Sequence, residues 1–289
     1  MVCYRPAAAT EVRMSPIEQR KGRGRPRSLK PAIAGGAVQA LDRGLALLEI
    51  LAEEDGLTLS ELSRRSGVSA STAHRILLTL ESRAYVQHDM ERGIWLVGVG
   101  AFKTGSAFLR NRRVASMGRA TMHALMEASG ETVNLGIEDN GEVVFISQVE
   151  SHDTLRAFFR AGSRGAMHAS GVGKALLAEF PEHRVRQICA LRRLERFTEH
   201  TITDLGALLR KLAEGRRNGW ALDDEERSLG MRCVAAPIFN EHAEAIAGVS
   251  VSGPTVRVTP RKLDDYGPMV RRAADEITRS IGGRLPMRE

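Results

Sequence analysis

Aromatic residues make up only 4% of this 289-residue chain, which argues against a single-strand nucleic-acid binder built on stacked rings. Cysteine is equally scarce. Cys3, Cys189 and Cys233 are odd in number and far apart, so neither a disulfide framework nor a paired-cysteine metal site is indicated, and a reducing cytoplasm is the expected compartment. No phosphate-binding P-loop, no G-x-S-x-G elbow and no H-E-x-x-H pair occurs, so no cofactor, metal or enzymatic activity is expected. Long apolar runs and the apolar core of a secretory signal are also missing, and with them the grounds for a membrane partner.

What is present is positive charge, unevenly placed. The chain carries +7 overall, and residues 1–30 hold eight Lys and Arg against two Glu, so the arm accounts for +6 and the remainder is close to neutral. A basic arm on a near-neutral body suits an anionic partner. Residues 1–36 lack periodicity and predict a disordered arm; Met14 within it offers a second candidate start. The arm contains GRGRPR, and Arg23-Gly24-Arg25-Pro26 resembles an AT-hook. In such a hook arginines enter a narrow A·T minor groove where negative potential is concentrated. Arg23, Arg25 and Arg27 are the candidate contacts. A solvated tail making unspecific phosphate contacts fits the same residues.

The densest local signals lie in residues 58–80, TLSELSRRSGVSASTAHRILLTL. Thr58 followed by Glu61 is a capping box that starts a short helix with Leu59 and Leu62 on its apolar side. Gly67 ends it, because glycine turns left-handed without a steric cost. Ser69 caps a second helix in which Ala73, Ile76, Leu77 and Leu80 recur at the spacing of a buried stripe. The opposite side carries Ser71, His74 and Arg75, with Ser69 and Thr72 near the helix start. Hydroxyls and N–H groups there can grip phosphate, and Arg75 can take guanine O6 and N7, so the pair predicts a helix-turn-helix entering the major groove of double-stranded DNA. An ordinary helical hairpin with its polar side in water meets the same spacing.

An amphipathic helix precedes it over residues 37–53, with Leu41, Leu45 and Leu48 on one face and Leu47 and Leu51 beside it. Two short strands follow, AYVQH and GIWLV, joined by a polar turn. A hairpin after a recognition helix is a wing, so this part reads as a winged helix with Arg92 as its phosphate contact or as a solvated turn residue. Residues 98–129 are helical in pattern with a basic break at 110–113. Exposed apolar residues on such a linker helix suit a dimer seam, which a palindromic operator requires.

The rest alternates strands and helices, an α+β pattern of the kind used by sensor domains. Strands are expected over 132–137, 143–149, 155–159, 233–239 and 245–251. Helices are expected near 173–178, 181–193, 204–218 and 264–281. An enzyme reading would need Cys233 or a serine as nucleophile, and no histidine is identifiably paired with Cys233. An architectural binder of A·T-rich DNA is the reading the arm alone would support.

The stretches VQALDRGLALLEILAEEDGLTLSELSRRSGVSASTAHRILLTLE, HASGVGKALLA, GWALDDEERSLGMRC and GVSVSGP, in this order, resemble the IclR family of bacterial transcription regulators. The resemblance covers residues 38–281. It implies a winged helix-turn-helix over 37–98, a dimerising linker helix over 99–118, and a GAF-like α/β effector-binding domain over 119–283, assembled as a homodimer or homotetramer. Within the family, GAFKTGSAFLRNRRV and SGETVNLGI are most similar to the glyoxylate-responsive branch, which implies glyoxylate or a related small oxo-acid as effector.

The family's effector pocket maps onto Ser170, Gly171 and Val172 at a helix start, and onto Asp223, Met231, Cys233, Ser250 and Ser252. Where this chain has Val172 the family often has alanine, which implies a tighter pocket. These types suit a small acid: N–H groups at a helix N-terminus cradle a carboxylate, and two serines two apart on a strand share a face. Asp223 would repel that carboxylate. It is therefore expected to accept from a hydroxyl of a hydrated aldehyde, or to be held partly protonated by burial. Cys233 is expected to pack, with reversible addition to an aldehyde as the alternative. His168, the histidine nearest the pocket loop, is expected to be structural.

Overall fold

The computed structural model describes residues 38–110, 113–154, 156–157 and 159–287. The arginines of the GRGRPR arm and Met14 lie outside the described residues. The chain divides into two compact units, one made of the described residues up to Leu80 with Asp89–Leu96, the other of Glu81–His88 with the chain from Val97 onward.

The first unit is built on three helices, α1 (Gln39–Ala52), α2 (Leu59–Ser66) and α3 (Ala70–Glu81). On α1 the buried line is Gly44, Leu47 and Leu51. Leu41 and Leu45 point away from it and are 62% and 50% exposed. Gly44 marks the reason: a Cβ there would stand 3.5 Å from Ile76 Cγ2, so the helices meet along the line that starts at the smallest residue. The capping box of α2 is complete, with the Glu61 N–H donating to Thr58 Oγ1 at 3.3 Å and the Thr58 N–H donating to Glu61 Oε2 at 2.9 Å. Gly67 closes the helix at φ 67°. Val68 is buried, and Ser63 Oγ donates to its carbonyl at 2.7 Å, fixing the turn. Strand β2 (Ile94–Val97) belongs mostly to this unit, where Leu57 bridges to Trp95; β1 (Val86–Asp89), its neighbour in a two-stranded sheet, is counted mostly with the other unit.

The second unit opens with α4 (Val99–Arg110), α5 (Arg113–Met117) and α6 (Arg119–Ser129). A six-stranded antiparallel sheet follows, in the order β5-β4-β3-β8-β7-β6. Its strands are β3 (Thr132–Asp139), β4 (Glu142–Val149), β5 (Arg164–Ala166), β6 (Ala221–Asp224), β7 (Met231–Phe239) and β8 (Ala245–Pro254). Four helices complete the unit: α7 (Gly171–Glu179), α8 (Glu182–Arg192), α9 (Leu205–Asn218) and α10 (Pro260–Ser280).

Strand alternation divides the core in two. Val133, Leu135 and Ile137 of β3, Val234, Ala236 and Ile238 of β7, and Ala247, Val249 and Val251 of β8 join one cluster with α6 and α10. The other cluster holds Val143, Phe145 and Ala235 against α7 and α9. On that second face the intervening positions are small or polar, Cys233 on β7 and Gly248, Ser250 and Ser252 on β8, and this is what leaves room for a site. Gly136 and Gly248 are required under α7: a Cβ on either would stand 3.1 or 3.0 Å from Val172 Cγ1.

The expected strand over 155–159 does not form. Its described residues, Arg156, Ala157 and Phe159, carry no strand, and the edge partner of β4 is Arg164–Ala166. The apolar alternation there serves a different contact, since the Phe159 ring stacks on Phe145 of β4 at 4.5 Å, while Arg156 turns to Glu150. Strand β6, which had no expected counterpart, forms the opposite edge.

Candidate functional site

Two places in the chain gather unusual polar groups. On α3, Ser71, His74 and Arg75 are exposed, as is Ser69 just before it, and Thr72 is half-buried, while Ala73 and Leu77 are buried on the other side. Ser69 Oγ donates to Thr72 Oγ1 at 3.0 Å and lies 3.5 Å from Ser71 Oγ, so three hydroxyls cluster where the helix begins. The His74 ring meets Trp95 edge-on at 6.4 Å, which seats it against the hydrophobic body. Arg75 and Arg92 are exposed, and neither forms an ion pair with a described residue. The turn that carries Arg92 is rigid, because Asp89 Oδ1 accepts from the N–H groups of both Glu91 and Arg92 at 3.1 Å. Rigid backbone under free cations and hydroxyls is the arrangement a phosphate ridge and a base edge require.

The second place is a cavity of about 510 Å³ between the start of α7, strands β6 to β8, and Arg156, Ala157, Phe159 and residues 163–166. Ser170, Gly171, Asp223, Met231, Cys233 and Ser252 share its wall. Register explains the meeting: Asp223 lies opposite Cys233, and Cys233 opposite Ser252, so three polar side chains cross three strands in one row. Val172 and Ser250 are fully buried and lie outside the wall. Val172 is spent on packing over the two glycines, and Ser250 Oγ makes no regular hydrogen bond. Phe145, Phe159, Arg156 and Arg227 also reach the cavity. The Phe145 and Phe159 stack depends on a contact across the sheet edge and left no local signal; Arg227 stood within the GWALDDEERSLGMRC stretch without a motif of its own.

The start of α7 is poised to donate. Ser170 Oγ accepts from the Gly173 N–H at 3.3 Å, and the Gly171 and Val172 N–H groups precede the first N–H bonded within the helix, that of Lys174, which donates to the Ser170 carbonyl at 2.9 Å. Gly171 must lack a side chain, because a Cβ there would meet Cys233 Sγ at 2.7 Å. Asn134 Nδ2 donates to Ser252 Oγ at 3.4 Å, which leaves the serine proton available for another acceptor.

Burial sets the protonation of the acidic groups. Asp223 is pushed up to about 6, chiefly by loss of water; the nearby Glu226 charge adds to this, while Lys174 and the Glu226 and Arg227 N–H groups oppose it. Lys174, 1% exposed, is ion-paired to the buried Glu226 carboxylate. The Cys233 thiol is pushed up to about 11 by burial and the Asp223 charge, against the Ser252 and Ser250 hydroxyls. A thiol that stays protonated is a poor nucleophile. His168 is lowered, mainly by burial; its Nε2 lies 2.9 Å from the Glu195 carbonyl, its ring stacks with Phe197, and it does not reach the cavity. Among the described residues no group of three or more His, Cys, Asp or Glu could hold a metal, and no helix is long and apolar enough to cross a membrane.

A helix-turn-helix with an exposed polar helix in one unit and, in the other, a cavity lined by apolar and a few polar side chains define a class: DNA-binding transcription regulators with a ligand-binding domain. The chain belongs to the IclR family of that class. Residues 40–90 match the IclR helix-turn-helix domain, and residues 106–279 match the C-terminal domain of bacterial IclR transcriptional regulators. The chain is 45% identical over 269 residues to the HTH-type transcriptional regulator BhcR of Paracoccus denitrificans (strain Pd 1222), covering 92% of this chain and 96% of that one. It is 40% identical over 277 residues to the transcriptional repressor IclR of Escherichia coli (strain K12), covering 93% and 99%. Among solved structures, it is similar to an IclR homolog from Microbacterium hydrocarbonoxydans complexed with 4-hydroxybenzoate, with TM-score 0.73 and 26% identity over 84% of this chain and 99% of that one. These relatives are regulators, and this chain is a regulator rather than an enzyme.

Proposed function

We propose that the chain binds a palindromic operator as a homodimer or homotetramer in the cytoplasm, and that a small carboxylic or oxo-acid such as glyoxylate, held in the cavity beside α7, modulates that binding. The observation that carries the reading is the meeting of the α7 N-terminus, Asp223 and Ser252 on one cavity wall. Helix N–H groups and the Ser252 hydroxyl supply donors for the acid's oxygens. Asp223, titrating near neutrality, is available either as a neutral donor or as an acceptor for a hydroxyl. On the DNA side, Ser69, Ser71, Thr72, His74 and Arg75 would face the major groove, and Arg92 a phosphate. The basic arm with Arg23, Arg25 and Arg27 would add affinity through phosphate or minor-groove contacts. Exposed Val99, Phe102 and Phe108 on α4 favour a seam between copies along the linker helix. The proposed boundaries are an arm over 1–36, a winged helix over 37–98, a linker over 99–118 and an effector domain over 119–283.

A larger aromatic acid is the second reading. The cavity falls within the range of about 300–1,000 Å³ that holds drug-sized ligands, Phe145 and Phe159 offer ring faces, and a relative's structure is described as complexed with 4-hydroxybenzoate. Calorimetry with glyoxylate, pyruvate and 4-hydroxybenzoate, paired with a mobility shift on the DNA upstream of the gene, separates them. Stoichiometric binding of a small oxo-acid that changes the shift is expected, and Ser252→Ala should weaken it. Absence of binding by any small oxo-acid overturns the leading reading, and saturable 4-hydroxybenzoate binding installs the second.

A further inference from the structure

An acid entering this cavity brings a negative charge to a wall that already holds Asp223. Four arginines reach the wall: Arg156, Arg164, Arg227 and Arg232. Three are already neutralised. Arg156 pairs with Glu150 at 2.8 Å, Arg164 with Asp139 and Glu142 at 2.8 Å each, and Arg232 with Asp224 and, at 3.7 Å, Glu225. Arg227 pairs with no carboxylate among the described residues. Its guanidinium instead lies over the Phe197 ring, 4.0 Å from the centroid.

Stacking occupies the flat face of a guanidinium and leaves its in-plane N–H edge free for a bidentate acceptor. The backbone beneath is also fixed. Thr198 Oγ1 donates to the Glu225 carbonyl at 2.7 Å, Thr201 Oγ1 donates to the Glu226 carbonyl at 2.6 Å, and the Glu226 N–H donates to Asp223 Oδ1 at 2.9 Å. A long side chain is costly to order. Arg227 is exposed, but its chain segment is anchored by hydroxyls and its guanidinium rests on a ring, so part of that ordering precedes any ligand.

We propose that Arg227 is the counter-ion of the effector carboxylate and the residue that makes the pocket select acids over neutral carbonyl compounds, with Phe197 as the platform that presents it. The proposal rests on the acid-effector reading above. The neutral donors at α7 and Ser252 then serve the carbonyl or hydroxyl end of the same ligand.

The test measures binding of glyoxylate and pyruvate, with glycolaldehyde as the neutral aldehyde, to the full chain and to Arg227→Gln, Arg227→Lys and Phe197→Leu. Thermal midpoint and operator affinity without ligand serve as controls for folding. Arg227→Gln is expected to weaken both acids about tenfold or more, the loss of one charge-assisted bidentate contact, with glycolaldehyde unaffected and the salt dependence of acid binding abolished. Phe197→Leu should give a smaller loss, and Arg227→Lys should keep the salt dependence while losing part of the affinity. Acid binding by Arg227→Gln within twofold of wild type, or with its salt dependence intact, overturns the proposal and leaves the acid-effector reading standing. A wild-type chain that binds neither acid overturns both.

Discussion

The two units treat polar side chains in opposite ways. On α3, Ser71, His74 and Arg75 stand exposed on a helix whose other side is packed, and water satisfies them until a partner arrives. Around α7 the polar groups are taken out of water and set against one another: Lys174 against Glu226, Asp223 against the N–H groups that follow it, Asn134 against Ser252. The first arrangement costs little to fold and suits contact with a large, highly charged surface. The second is costly unless each group has a partner, and it can therefore recognise a molecule of a few atoms.

The sharpest way to break the buried half of this comparison is Lys174→Met. It leaves Glu226 charged and unpaired in the interior, so a loss of about 3–5 kcal/mol is expected in denaturant unfolding of the C-terminal unit. Adding Glu226→Leu should restore most of it, and failure to recover would mean that Lys174 matters for its packing instead. Next in size is the pH response. Because Asp223 is raised from the usual carboxylate value to about 6, its contribution is fully present below that usual value and is lost as pH rises through about 6. The shift of about two units amounts to roughly 3 kcal/mol. Unfolding free energies measured from about pH 4 to 8 should show this decline in the native chain and a flatter profile in Asp223→Asn.

The exposed half predicts smaller and more selective effects. Arg75→Ala should cost about 1–3 kcal/mol at one operator position and relax base choice there, with effector affinity unchanged. Footprinting across operator variants reads this directly, and intact base preference would detach Arg75 from recognition. Arg92→Ala should act least, weakening all sequences alike and lowering the slope of log affinity against log salt by about one. A sequence-dependent change would move Arg92 from phosphate to base.

Features written in neighbouring residues were legible in advance. Thr58 with Glu61, Gly67, and the Ala73 and Leu77 stripe each involve positions within one or two helical turns, and all formed as the spacing requires. Residues 155–159 alternate as a strand should, yet Phe159 is claimed by the Phe145 ring. Strand β6 is only four residues, ALDD, with two acids at its end, and it exists because β7 offers an edge. Site residues divide in the same manner. Asp223, Cys233 and Ser252 came through family motifs and do share a wall. Val172, carried over with them, is drawn into packing by glycines at 136 and 248, far away in sequence. Arg227 had no signal at all, since its value lies in what its three neighbouring arginines have already bonded to.

The seating of Val172 over Gly136 and Gly248, with Gly171 hard against the Cys233 sulfur, also limits how this domain can move. A knob held in a socket without clearance does not slide, so the first turn of α7 travels with the middle of the sheet as one block. Any adjustment to a bound molecule is left to parts of the cavity wall outside this block.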